Sequence, residues 1–156
     1  MSLALITGST GLVGSEAVNF FCDKGFDVIG IDNNLRKFFF GSHASTTNIK
    51  NAINKRNKKY LHNNLDIRNS AAIEKIFSKY KKKISVIIHC AAQPSHDYGR
   101  NFPKLDFDIN AFGTLNLLEL TKKYCSDAVF IFMSTNKVYG DNPNKLKFVE
   151  KKDRWE

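Results

Sequence analysis

The segment LALITGSTGLVGSEAVNFF constrains the fold more than any other stretch, because it sets Gly8, Gly11 and Gly14 between a short apolar run and a segment of helical periodicity. A glycine pattern carries little weight alone, but between a strand and a helix it has a mechanism. Gly8 allows a tight turn, Gly11 lets the backbone approach a pyrophosphate, and Gly14 lets the helix pack onto the sheet. The helix N-terminus adds unpaired N–H groups and positive partial charge. Leu12 and Val13 would then line a dinucleotide site. The competing reading is three ordinary turn and cap glycines, and the flanking strand, helix and downstream acid weigh against it.

That acid is Asp32, which follows the second apolar run in DVIGIDNN. A carboxylate there accepts hydrogen bonds from the adenosine ribose hydroxyls and repels a 2′-phosphate, so with Asn33 beside it the position favours NAD over NADP. Arg36 is near enough in sequence to bind such a phosphate instead, and a solvated turn aspartate is the bland alternative.

Beyond this first unit, short apolar runs keep alternating with longer helical segments, which argues a parallel sheet with crossover helices. Strands are expected at 3–7, 27–31, 59–63, 84–89 and 128–134, and helices at 12–24, 46–57, 70–81 and 105–124. Gly25 stands where the first helix should stop. Asn69 or Ser70 caps the third helix, with Glu74 behind it resembling a capping box. After Ser134 the chain turns into a loop rich in Asn and Pro and a polar tail. The expected fold is α/β, a Rossmann-type doubly wound parallel sheet truncated after about five strands, since that fold normally carries a sixth. Residues 1–156 form one NAD(P)-binding domain, incomplete at its C-terminus.

A formal charge of +9 is large enough to attract polyanions. The lysines at 55–59 and 79–83, however, sit beside expected helix ends, where cations complement the helix dipole and face solvent. No aromatic-interleaved RNA motif accompanies them, so no nucleic-acid partner is expected. Cys22, Cys90 and Cys125 show neither zinc spacing nor a disulfide framework and read as buried thiols, and no metal is expected. No apolar stretch approaches the ~20 residues of a bilayer span, so a cytoplasmic protein with no membrane partner is expected.

ITGSTGLVGSEA, GIDNN followed by FFG, LDIRN, HCAAQPSHD, DFDINAFGTLNLLE and FIFMSTNKVYGDNPN together resemble the extended short-chain dehydrogenase/reductase family of NAD-dependent nucleotide-sugar epimerases and dehydratases. The strings AAQPSHD and STNKVYGDNPN are similar to its CDP-paratose 2-epimerase branch. The resemblance implies that Asp66 and Ile67 hold the adenine, and that Ala91, Ala92 and Gln93 pass along the cofactor ribose and pyrophosphate. It implies that Asn110 helps order the active site and that Thr135 hydrogen-bonds the reacting sugar hydroxyl, with Ser134 as the competing candidate. His96 and Asp97 belong to a branch-specific loop near the substrate, without a proton-transfer role.

The family resembled uses a tyrosine base and a lysine four residues later. Tyr139 is followed at that spacing by Pro143, so the Tyr-x-x-x-Lys pair and the substrate domain are expected beyond Glu156. Three functions stay open: part of a CDP-paratose 2-epimerase, part of another nucleotide-sugar C4 epimerase or dehydratase, and a nonenzymatic NAD-binding or regulatory module. In the complete enzyme the partners implied are a nucleotide-sugar substrate and further copies of itself.

Overall fold

Leu3–Thr7 is buried at every residue, as an apolar run must be when helices cover both faces of a parallel sheet. This strand, β1, sits at the centre of the computed structural model, which describes residues 2–154. It pairs with β2 (Asp27–Ile31) on one side and β4 (Ile84–His89) on the other. Outside them lie β3 (Tyr60–Asn63) and β5 (Val129–Phe132), giving the parallel order β3-β2-β1-β4-β5. The chain reverses direction across the sheet at β1, so a crevice opens at the carboxyl ends between β1 and β4. The expected Rossmann-type sheet is thus present.

The helices are α1 (Leu12–Asp23), α2 (Leu35–Phe40), α3 (Thr47–Arg56), α4 (Ser70–Tyr80), α5 (His96–Asn101), α6 (Pro103–Phe107) and α7 (Gly113–Tyr124). Alternation along the strands builds two cores. Leu5, Ile29 and Ile87 meet Phe77 of α4 and Leu117 of α7 on one face. Ala4, Ile6, Val28 and Ile88 meet Val18 of α1 and Ile53 of α3 on the other. Each fully buried aliphatic side chain contributes about 1.5–3 kcal/mol, so these contacts hold the crevice walls in place.

The differences from expectation are local. The single helix expected over 105–124 is α6, one π turn at Asp108–Phe112, and α7. The Thr114 hydroxyl bonds the Asn110 carbonyl at 2.7 Å, satisfying an oxygen in this wide turn. Asn69 caps α4 by accepting the Ala72 N–H, but Glu74 makes no capping box; it reaches across to Lys123 and Tyr124 of α7, 2.7 Å from each. Two segments outside the expected strands and helices form short helices, α2 and α5. Neither is long enough to show periodicity, and both are held by tertiary contacts, Phe39 of α2 lying 4.8 Å from the Tyr98 ring of α5. Of the thiols, Cys125 is buried, whereas Cys22 and Cys90 are only half-buried. No helix among the described residues is long and apolar enough to cross a membrane.

Candidate functional site

Gly8 leaves β1 with φ +64°, donating its N–H to the Ile31 carbonyl at 2.8 Å. A Cβ on Gly8 would fall 2.7 Å from the Ala91 nitrogen, and one on Gly14 would strike the Gly8 carbonyl oxygen. The turn, the start of α1 and the residues after β4 are therefore as close as backbones come, a cradle that side chains would fill. The α1 N-cap is Gly11, which has no side chain to satisfy the first helical N–H groups. Those donors are available to an anion. Behind the turn, the buried Ser9 hydroxyl meets the Tyr60 hydroxyl at 2.9 Å, and burial pushes the Tyr60 phenol up to about 12.

The cradle opens into a cleft of about 250 Å³ whose walls include Leu12, Val13, Asp32, Asn33, Asp66 and Ile67. Gly8, Gly11, Gly14, Ala91 and Ala92 complete them, so eleven of the expected cofactor residues line one cavity. Asp32 accepts the Thr10 N–H at 3.0 Å and the Asn34 N–H at 2.8 Å, which ties the acid to the glycine turn. Asn33 donates to Asp66 at 3.0 Å, joining the ends of β2 and β3. Burial works to raise the Asp66 pKa, but hydrogen bonds from Arg68, at 2.9 Å and 2.6 Å, and its charge hold the carboxyl below the usual range. Ile67 is buried and would be struck by a Cβ on Gly113, 2.6 Å away. Arg36 also faces this cleft, with its guanidinium over the Phe40 ring at 5.1 Å.

Gln93 and Asn110 lie elsewhere, in a second cleft of about 740 Å³ that shares Ala91 and Ala92 with the first. Asn110 accepts the Gln93 N–H at 2.9 Å and donates to the Gln93 carbonyl at 3.1 Å. The Gln93 side chain turns inward to Ser95 and to Asp106, at 2.9 Å and 2.7 Å. Both side chains are therefore engaged in shaping the segment after β4. Ser134 and Thr135, at the end of β5, line the same second cleft, as does His96 at the start of α5. Tyr139 is 65% exposed and lines neither cleft.

Sequence reasoning missed several residues of this region. Thr46 lines the first cleft and bonds the Thr10 hydroxyl at 2.8 Å, and Phe39 joins the same wall. His89 is buried between Thr7 and Thr114, where burial lowers its pKa to about 4. A histidine ending an apolar run in VIIHC was the available signal. Among the described residues no cluster of His, Cys, Asp or Glu could hold a metal ion.

Comparison with known proteins adds to this geometry. The GDP-mannose 4,6 dehydratase family model matches residues 5–154. A CDP-paratose 2-epimerase of Salmonella typhi is 37% identical over 137 residues, covering 88% of this chain and 38% of that protein. The UDP-glucose 4-epimerase of Thermotoga maritima, solved with UDP-glucose, superposes with a TM-score of 0.71 at 31% identity, over 90% of this chain and 40% of that one. The UDP-glucose 4-epimerase of Bifidobacterium longum, solved with NAD+ and UDP, gives 0.70 at 27% identity, over 89% and 38%. The chain spans about two fifths of the length of these relatives.

Proposed function

Since the chain belongs to the GDP-mannose 4,6 dehydratase family, we propose that its 156 residues are one NAD-binding domain of a nucleotide-sugar epimerase that inverts C2 of CDP-paratose by transient oxidation and re-reduction. The observation that carries this reading is the pair of clefts meeting at Ala91 and Ala92, one walled by the glycine turn and Asp32, the other by Thr135. The glycine cradle and the Asp32 rim fit NAD. When bound, NAD supplies a hydride acceptor and returns the hydride within one turnover.

The chain's own residues bind and orient. The open N–H groups at Gly11 and the first turn of α1 receive the pyrophosphate. Asp32, already fixed by two backbone N–H groups, accepts from the ribose hydroxyls. Asp66 and Ile67 flank the adenine, with the Arg68 bond holding the carboxylate in place. Thr135 hydrogen-bonds the reacting sugar hydroxyl at the far end of the second cleft. A Tyr-x-x-x-Lys pair occurs nowhere in the 156 residues, so proton removal belongs to a residue outside them.

The likeness to the Salmonella typhi protein supports CDP-paratose. The likeness to the Thermotoga maritima structure favours a second reading, a C4 epimerase of UDP-sugars. A third reading, an NAD-binding module without catalysis, rests on the cleft walled by the glycine turn and Asp32 alone. Exposed apolar residues on α6 and α7, among them Phe107, Leu115 and Leu118, support assembly of the complete enzyme into a homo-oligomer.

The test is to titrate NAD into the chain, then assay the complete gene product with CDP-paratose and UDP-glucose. The proposal expects NAD binding and conversion of CDP-paratose alone, with Thr135→Val slowing turnover about tenfold or more. Conversion of UDP-glucose alone would transfer the assignment to the second reading. Binding without turnover of either sugar would favour the third.

A further inference from the structure

Building on the NAD reading above, we propose that His89 is a positioning residue: it fixes the three residues from Ala91 to Gln93, of which Ala91 and Ala92 line both clefts and Gln93 the second, through a one-way hydrogen-bond relay from Thr7 to Asn110. Thr7 and His89 are register partners at the ends of β1 and β4, on the sheet face that meets α7. The Thr7 hydroxyl lies 2.7 Å from His89 Nδ1, and His89 Nε2 lies 2.9 Å from the Thr114 hydroxyl.

The direction of the relay follows from counting hydrogens. The Thr114 hydroxyl donates its only hydrogen to the Asn110 carbonyl at 2.7 Å, so it accepts from His89. Nε2 therefore carries the imidazole hydrogen. Burial keeps the ring neutral, which leaves Nδ1 bare to accept from the Thr7 hydroxyl. Thr7 in turn accepts the Ala91 N–H at 3.2 Å. Every hydrogen in the series has one place, and the rings of Phe130 and Phe132 lie 6.1 Å and 5.8 Å from the imidazole.

The two ends of the relay hold the two ends of one short segment. Ala91 is tied through Thr7, while Asn110, whose carbonyl terminates the series, binds Gln93 at both its N–H and its C=O. Ala91 also packs against Gly8 at the limit of backbone approach. A shift of this segment therefore changes the space over the glycine turn and the shape of the second cleft together. An apolar residue at 89 would fill the volume, but it would leave the Thr7 hydroxyl hydrogen without its acceptor and the Thr114 oxygen without its imidazole donor.

The unmutated chain provides the first readout, with ¹⁵N-labelled histidine followed by NMR. His89 is expected in the Nε2-protonated form, with signals unchanged between about pH 7 and about pH 5.5. An Nδ1-protonated ring, or one that titrates in that range, overturns the relay. The second readout is amide hydrogen exchange at Ala91 and Gln93, alongside NAD titration, in Thr114→Val, His89→Leu and His89→Asn. Thr114→Val and His89→Leu should speed exchange at both amides and weaken NAD about tenfold. His89→Asn, whose amide oxygen can replace Nδ1 as the acceptor for Thr7, should restore protection at Ala91 but not at Gln93. Unchanged exchange and affinity in Thr114→Val would reduce His89 to packing and overturn the positioning role. If the unmutated chain does not bind NAD, the functional reading fails, and the imidazole spectrum and the two exchange rates still decide the relay.

Discussion

Gly11 and Gly14 stand three residues apart, yet a methyl group meets different surroundings at each. At Gly14 it runs into the Gly8 carbonyl oxygen, which is backbone and cannot turn aside; at Gly11 it lies 3.2 Å from that atom. Gly14→Ala is therefore expected to destabilise the chain by about 3 kcal/mol, the upper end of overpacking costs, while Gly11→Ala costs under about 1 kcal/mol in urea denaturation. The larger Gly11→Val should fold but lose NAD, because its branched side chain fills the approach to the pyrophosphate; NAD titration of the folded variant checks this. Asp32 is a different case, since its oxygens serve the backbone as well as any ligand. Asp32→Asn keeps one acceptor and removes the charge. It should weaken NAD about tenfold and narrow the preference over NADP, in line with about 1.5–3 kcal/mol for a charged hydrogen bond. Equal affinities for the two cofactors in the unmutated chain would rule out a discriminating role.

At the scale of elements, the carboxyl ends of β1, β2, β3 and β4 are joined by polar side chains, among them His89 and Asp66, which titrate below their ordinary ranges. His89 falls to about 4 because it is buried between β1, β4 and α7. An unfolded histidine has a pKa near ~6.5 and binds its proton first, so the contribution of His89 to stability is complete above ~6.5. It is lost progressively as pH falls through the folded value, by on the order of 3 kcal/mol in all. Asp66 is also depressed, Arg68 outweighing burial. Its contribution is present above the unfolded value of ~3.9 and disappears only as pH falls through the lower folded pKa. Urea denaturation at a series of pH values should show two separable losses. His89→Leu should flatten the upper one, and Asp66→Asn the lower one; a single loss below ~4 would contradict the neutral, buried imidazole.

For the whole molecule, binding and turnover come apart. The clefts are lined by the glycine turn, Asp32 and Thr135, but none of the five tyrosines in the sequence has a lysine four residues later. Tyr139, next to Val138 of the second cleft, is exposed, with Pro143 at that spacing. The 156-residue chain is accordingly expected to bind NAD without epimerising any nucleotide sugar. Incubation with NAD and CDP-paratose, followed by NMR, checks this; sustained formation of CDP-tyvelose that stops in Tyr139→Phe would identify Tyr139 as the base.

What the sequence by itself determined is the part of the molecule built from neighbours in the chain. The strands Leu3–Thr7, Asp27–Ile31 and Ile84–His89 were legible to the residue because a parallel strand buried on both faces reads as a continuous apolar run. The glycine turn and Asp32 were legible because one βαβ unit contains them all. Only the tertiary structure decided the rest. Thr7 and His89 are 82 residues apart and meet through strand register, and Gln93 and Asn110 meet across a π turn that no periodicity announces. Phe39 and Tyr98 support two helices too short to signal themselves, and Glu74 chose Lys123 and Tyr124 over its own helix end. A polar side chain takes the partner that desolvation leaves within reach, and which partner that is depends on where the sheet has already brought distant segments together.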